Sequence, residues 1–327
     1  MKPKIEDVAK AAGVSPTTVS RVLNNRGYIS ENTKNKVYQA MTDINYIPND
    51  LARSLYNKKT NIIGLIVPTT KNPFFGEIAA EIENDCSNRG YKMLICNSLN
   101  NIEKERKYWE MLRRNQVDGV IVGTYNRGIL DYDQHQLPTV AIDHYLSKNI
   151  PVVGSDNYQG GRLATEKLLE SGCRYIIHIN GPGELETPAN YRRKAYEDTM
   201  NKRGQEPVTY EISGVFDQVE QDRIIRQVFD EHPHADGIFA SDDLLALNVL
   251  REAHKRNIPI PEKLKIIGYD GTETIRTTAP HLSTICQPIS TIAESAVAIL
   301  QKQITDMLPL EKSETRHPVS FHKGSTV

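Results

Sequence analysis

Apolar positions near the start of the chain recur at helical spacing. Ile5, Val8, Ala9 and Ala12 fall at i, i+3, i+4 and i+7, so they share one helix face. Gly13 then supplies the left-handed conformation that closes a helix. Ser15 followed by Pro16 makes an N-cap and first-turn pair, with Val14 and Val19 placed across it as a hydrophobic staple. The helix begun there turns Val19, Val22 and Leu23 to one side and Thr17, Ser20, Arg21 and Asn24 to the other. After Ser30 a third helix repeats the stripe through Val37, Ala40, Met41 and Ile44. Three short helices, the first two joined by a tight glycine turn, predict a helix-turn-helix unit. Next come Ile47-Pro48-Asn49, the run Asp50–Tyr56 and the polar Asn57–Thr60. So short a run is not stable alone as a helix in water, and folds only when something orders it.

From Asn61 the period changes. Short apolar runs at Ile62–Val67, Lys92–Cys96, Val120–Val122 and Val140–Ile142 read as strands, with helices through Ile78 and Ile82 and around Trp109. The alternation starts again with strands at Val152–Gly154, Tyr175–Ile179, Tyr210–Ile212, Gly237–Ala240 and Lys265–Tyr269. Helices over Leu163–Leu169, Tyr191–Lys202, Val219–Phe229 and Leu244–His254 separate them. Strands alternating with amphipathic helices predict parallel sheets with crossover helices, and two rounds predict two lobes. A strand near Leu282–Gln287, a helix over Ile292–Ile304 and a last strand near Pro318–His322 complete them. The length agrees, since 327 residues exceed the roughly 250–300 at which single cores stop growing.

Net charge changes the picture only when divided. The whole chain is at -1, but residues 1–60 hold ten Lys/Arg against five Asp/Glu, an asymmetry that points to a polyanion partner for the head. The opening MKPKIEDVAK has charges where a secretion signal needs an apolar core, and no later run is long enough to span a membrane, so the expected location is the cytoplasm, with no membrane partner. Cys86, Cys96, Cys173 and Cys286 are scattered with no paired spacing, which predicts buried thiols rather than disulfides or a zinc site.

Several stretches together resemble the lactose-repressor/galactose-repressor (LacI/GalR) family of bacterial transcription regulators. They are DVAKAAGVSPTTVSRVLNN at Asp7–Asn25, NYIPNDLARSL at Asn45–Leu55, IGLIVP followed by NPFFGEI, VDGVIV, ASDDLLAL, IIGYDG and LSTICQP. The NNRGY turn and the stretch YLSKNIPVVGSDNYQGGRLAT are similar to those of sucrose-operon repressors within it. The resemblance covers essentially the whole chain. It implies an all-α helix-turn-helix head over 1–48, a hinge helix and linker over 49–60, and an α/β body over 61–327. The body is expected to be two Rossmann-like lobes shaped like periplasmic sugar-binding proteins, lobe one about 61–157 plus 289–316 and lobe two about 158–288 plus 317–327.

By the same resemblance a homodimer reads a palindromic double-stranded operator. Pro16, Thr17 and Arg21 match base-reading positions, where Arg can bond guanine bidentately and a Thr methyl can touch thymine. Ser15, Ser20, Asn24, Tyr28 and Thr33 fall on or near phosphates. In the hinge, Leu55 matches a residue that wedges between base steps in the minor groove, with Asn49, Ala52 and Arg53 beside it. Two positions depart from the family pattern: Lys4 stands where relatives often have a capping Thr or Ser, and Pro16 cannot hydrogen-bond through its side chain.

For the body the resemblance implies a small sugar or phosphosugar effector, sucrose- or fructose-related, in a cleft between the lobes. Asp143, Arg192 and Asp270 match polar positions that hold adjacent hydroxyls, and Phe74, Phe75 and Phe216 match apolar walls. Asp143 and Asp270 also lie at predicted strand C-termini, where open α/β sheets bind ligands. Ser241 stands where many relatives have Asn; its shorter side chain shifts weight to Asp242.

No catalytic constellation competes. There is no phosphate-binding glycine loop, and Gly181-Pro182-Gly183 runs on into Glu-Leu-Glu. His144 follows Asp143, but neighbours on an extended strand face opposite ways. No cofactor and no enzymatic activity is expected. Two alternatives remain: the same regulator driven by a corepressor or a phosphorylated carrier protein, and a sugar-binding transport component, against which the head argues.

Overall fold

The structure is a computed structural model that describes residues 3–24, 26–48, 59–124, 126, 137–183, 187–213, 217–306 and 313–327. It divides into two units, Met1–Thr60 and Asn61–Val327.

In the first unit α1 (Ile5–Ala12), α2 (Pro16–Leu23) and α3 (Glu31–Asp43) enclose a small core of Val8, Ala9, Val19, Val22, Val37 and Ala40. The helix ends are set by the residues that the spacing singles out. Gly13 closes α1 at φ 67°, and the Ser15 and Ser30 hydroxyls accept from the Thr18 and Thr33 N–H groups at 3.1 and 3.3 Å. At the start of α1 Lys4 offers no side-chain cap; instead its N–H donates to the Asp7 carboxylate at 2.8 Å.

The second unit holds two six-stranded sheets. With β1 (Ile62–Val67), β2 (Lys92–Asn97), β3 (Gly119–Val122), β4 (Thr139–Ile142), β5 (Val152–Ser155) and β11 (Glu314–His317), the first runs β11-β5-β4-β3-β1-β2 and is wholly parallel. The second comprises β6 (Ile176–Asn180), β7 (Val208–Glu211), β8 (Gly237–Ala240), β9 (Lys265–Asp270), β10 (Ser283–Cys286) and β12 (Ser320–His322). Its order is β12-β10-β9-β8-β6-β7, parallel except for the antiparallel β10–β12 pair. Helices α4 (Pro73–Asn88), α5 (Ile102–Arg114) and α11 (Ile289–Asp306) cover the first sheet. Around the second lie α6 (Asn157–Glu170), α7 (Pro188–Lys202), α8 (Gln218–Glu231), α9 (Asp243–Lys255) and the short α10 (Glu273–Thr278). The inner strands β1, β3, β4, β5, β6, β8 and β9 read as largely apolar runs because both sheet faces are covered there.

Three details depart from the sequence reading. The expected final strand near Pro318–His322 is present as β12, but a further strand, β11, precedes it in the other sheet, with Pro318, which has no N–H to offer a ladder, between the two. Helix α10 is too short to announce itself by periodicity. Cys286 is half-buried, unlike Cys86, Cys96 and Cys173, since it ends β10 at the rim rather than in a core. The chain crosses between the sheets three times, after Ser155, after Cys286 and after His317, and the crossings lie together: the Asp156 N–H donates to the His317 carbonyl at 2.8 Å.

Candidate functional site

On the head, α2 carries Pro16, Thr17 and Arg21 on its exposed side, and Tyr28 beyond it is 98% exposed. The other polar candidates are engaged locally. Ser15 and Thr33 sit in cap pairs with Thr18 and Ser30 at 2.9 Å, and the Asn24 amide donates to the Ser20 carbonyl at 2.8 Å and its hydroxyl at 3.3 Å. Asn49, Ala52, Arg53 and Leu55 lie outside the described residues, as does Phe216 of the body.

In the body, Asp143 follows β4 and Asp270 ends β9, one at the C-terminal edge of each sheet. Both have a positive φ, 60° and 108°, a backbone that costs roughly 1–3 kcal/mol in a non-glycine residue and is typical of functional positions. Around them six buried side chains close a ring. Asp143 Oδ1 accepts from the Ser155 N–H at 3.0 Å and the Asn157 amide at 3.3 Å. Asn157 Oδ1 accepts from Arg192 Nε at 2.8 Å, and Arg192 Nη1 lies 3.9 Å from Asp270 Oδ1. Gln287 donates to Asp270 Oδ1 at 2.7 Å, and its own Oε1 accepts from the Ser155 hydroxyl at 2.6 Å. The ring therefore joins both sheets through two of the three crossings.

Arg192 is fixed on every side. It projects from α7, its Nη1 donates to the Ser241 carbonyl at 2.6 Å, and its guanidinium lies 3.6 Å over the Tyr269 ring centre, a contact worth about 0.5–2 kcal/mol. α7 comes this close because α6 presents Gly161, where a Cβ would stand 2.3 Å from the Arg192 carbonyl oxygen. Gly154 has the same role for Asp143: a Cβ there would lie 1.9 Å from Oδ1.

Burial pushes both carboxylates toward the neutral form. Asp143 is raised despite the opposing charges of Arg192 and Arg316, the latter 3.5 Å away. Asp270 is pushed up to about 7 by burial, against the pull of Arg192. Asp243, behind it, is also raised, by burial first and the Asp270 charge second, while accepting from the Gly271 N–H at 2.7 Å and the Thr284 hydroxyl at 2.5 Å.

The arrangement gives these residues local roles and corrects one expectation, that Asp143 and His144 share an extended strand. Ser241 holds Arg192 through its carbonyl. Asp242 caps α9, accepting from the Leu245 N–H at 2.9 Å. Asp143 and His144 are not consecutive strand residues: the strand stops at Ile142, and the His144 N–H donates back to the Ile142 carbonyl at 2.7 Å, so period-two alternation does not apply. Phe74 and Phe75 meet edge to face at 5.2 Å and are buried in the first-sheet core. Sequence reasoning missed Ser155, Asn157, Tyr269 and Gln287, although the strand-end rule that selected Asp143 and Asp270 applies to them equally.

Two family descriptions match the chain: bacterial regulatory proteins of the lacI family over residues 4–49, and the periplasmic binding protein-like domain over 165–327. Over 326 residues, spanning 100% of both proteins, the chain is 44% identical to the sucrose operon repressor of Pediococcus pentosaceus. This chain belongs to the lacI family. A ribose operon repressor of Halalkalibacterium halodurans is 43% identical over 92% of this chain and 90% of its own. Among solved structures, a periplasmic binding protein/LacI transcriptional regulator from Alkaliphilus metalliredigens QYMF is 32% identical, with a TM-score of 0.73 over 82% of this chain and 99% of its own. The Lac repressor bound to ONPG shares the fold at a TM-score of 0.87 and 24% identity over 100% of both chains. The lacI-family chain is accordingly a DNA-binding repressor, and its relatives are named as transcriptional repressors rather than enzymes.

Proposed function

We propose that this repressor binds a palindromic operator as a homodimer in the cytoplasm and is released when a small sugar enters the space between the two sheets. The observation that carries the reading is the ring of Asp143, Asn157, Arg192, Asp270, Gln287 and Ser155. Planar carboxylate, amide and guanidinium groups converge at the strand C-termini of both sheets, the place and chemistry suited to vicinal hydroxyls. Relatives named for sucrose and ribose operons, and a 32% identical regulator solved with D-xylulofuranose, support a sugar.

On the head, Thr17 and Arg21 read bases, Pro16 makes apolar contact, and Ser15, Ser20, Asn24, Tyr28 and Thr33 lie against the backbone. Asn49, Ala52, Arg53 and Leu55 form the minor-groove hinge within 49–60. In the body Asp143, Arg192 and Asp270 hold hydroxyls, Ser241 and Asp242 fix the geometry around Arg192, and Phe74, Phe75 and Phe216 supply apolar surface. Lobe one comprises about 61–157 plus 289–316, lobe two about 158–288 plus 317–327. Dimerisation is favoured by β2, an edge strand on which Leu94 and Ile95 are 38% and 47% exposed, with Leu99 beyond at 61%. An apolar sheet edge of this kind calls for a partner. The test is operator affinity of the full chain with and without saturating sucrose or ribose. Weakening is expected; tightening would replace release by corepression.

A further inference from the structure

The sugar cleft proposed above has a charge pattern that discriminates between two classes of ligand. Its described carboxylates are Asp143, Asp242, Asp243 and Asp270, all at or next to the C-terminal edges of strands. The described cations in direct contact with them are Arg192 and Arg316, and both are committed. Arg192 donates to Asn157 and Ser241, lies flat on Tyr269 and faces Asp270, while Arg316 is shared between Asp143 and Glu314, the latter at 2.6 Å.

A second, independent observation concerns the helix N-termini, where α/β proteins ordinarily seat phosphate. Of the five described helices around the second sheet, three are stoppered by carboxylates, and the short α10 by the Thr272 hydroxyl. Asp156 accepts from the Gln159 N–H of α6 at 2.8 Å, Asp217 from the Val219 and Glu220 N–H groups of α8 at 2.9 and 3.3 Å, and Asp242 from the Leu245 N–H of α9 at 2.9 Å. A charged cap both uses the N–H donors and cancels the positive end of the helix. Helix α7 has Thr187 at its start with no side-chain cap bond, and in sequence it is preceded by Glu184-Leu185-Glu186.

We infer that the cleft takes an uncharged polyhydroxylated ligand and excludes its phosphorylated counterpart. Neutral hydroxyls can each replace one bond of the ring, donating to Asp143 or Asp270 and accepting from Asn157, Gln287 or Arg192, so every polar group that the ligand displaces regains a partner. A phosphate dianion needs positive charge, and the described cations that touch these carboxylates, Arg192 and Arg316, are already engaged, while buried carboxyl groups supply none whether protonated or not. The inference rests on the sugar-release reading and narrows its ligand class.

The experiment is calorimetric titration of the full-length protein, at fixed ionic strength and neutral pH, with sucrose against sucrose 6-phosphate and ribose against ribose 5-phosphate. Operator affinity is followed in parallel. The neutral member of the active pair should bind at least tenfold more tightly and release the operator. In Asp143→Asn, which keeps an acceptor oxygen but removes one charge, the gap should narrow. A phosphorylated sugar that binds more tightly than its parent and releases the operator overturns the inference while leaving the sugar-release reading intact. If neither member of either pair binds or alters operator affinity, it is the sugar reading itself that fails. The comparison within wild type does not depend on the variant folding.

Discussion

At the residue scale, single side chains divide into those that read and those that hold. Arg21 is exposed on α2, whereas Lys34 on α3 is paired to Glu31 at 2.7 Å. Arg21→Ala should cost about 1–3 kcal/mol at one operator position, while Lys34→Ala should weaken all sequences alike and by less, which binding across an operator-variant series will separate. A loss for Arg21→Ala that is uniform across the series would remove it from the base-reading set. In the body, Asp270 binds its proton more tightly folded than unfolded, at about 7 against an ordinary value of 3.8. Its contribution to stability is therefore complete below pH 3.8 and lost as pH rises through about 7. His178 acts in the opposite sense, since burial lowers it from 6.5 to about 3, and its contribution is lost as pH falls below 6.5. Unfolding measured between pH 5 and pH 7.5 in wild type and Asp270→Asn isolates the first effect: the difference between the two curves should close as pH falls. Parallel curves would show that Asp270 is ionised throughout.

The elements were unequally legible in the sequence. Long amphipathic helices and buried strands announce themselves because a covered sheet leaves continuous apolar runs, as at Ile62–Val67, and because caps such as Ser15 and Ser30 have their own chemistry. β11, Glu-Thr-Arg-His, carries no such mark: it is an edge strand held by backbone pairing to β5, and its polar side chains resemble a loop. The candidate site was half legible for a related reason. Asp143 and Asp270 stand out as charges after apolar runs, but Asn157 and Gln287 look like ordinary cap and loop residues until the fold brings them to Arg192 and Asp270. Gly154 and Gly161 gave no signal either, since close approach is a property of two elements at once. Gly161→Ala should push α7 from α6, displace Arg192 and weaken sugar binding while operator affinity without sugar stays within about twofold, a change of only ~0.4 kcal/mol. Equal loss of both would mean that the substitution unfolds the body instead.

Across the whole molecule, the proposed release makes sugar and operator compete for one equilibrium. If the ligand prefers one arrangement of the lobes, linkage requires the operator to weaken sugar binding by the same factor that the sugar weakens operator binding, typically 1–3 kcal/mol. Arg192→Ala should retain operator binding and lose release, which affinity measured with and without saturating sugar will reveal. The exposed edge strand makes a further expectation at this scale: Ile95→Asp should shift a dimer toward monomer by light scattering and weaken operator binding, since two heads joined in one particle bind far better than one. A dimer unchanged in Ile95→Asp would place the contact elsewhere.

The three crossings between the sheets also govern the order in which a ribosome can deliver a finished protein. The first sheet needs β11 at Glu314–His317, and the second needs β12 at Ser320–His322 together with Thr326, whose hydroxyl donates to the Ile266 carbonyl at 2.7 Å and accepts from the Ser283 N–H at 2.9 Å. Neither lobe is a continuous stretch, so the body cannot be completed from its first half while the rest is being made, although the head, built from residues within 3–48, has all its parts early. Domains usually fold as units in the order of synthesis. Here nascent chains halted before residue 314 should carry a protease-resistant head and a protease-sensitive remainder, with both lobes gaining resistance together once the last strands emerge.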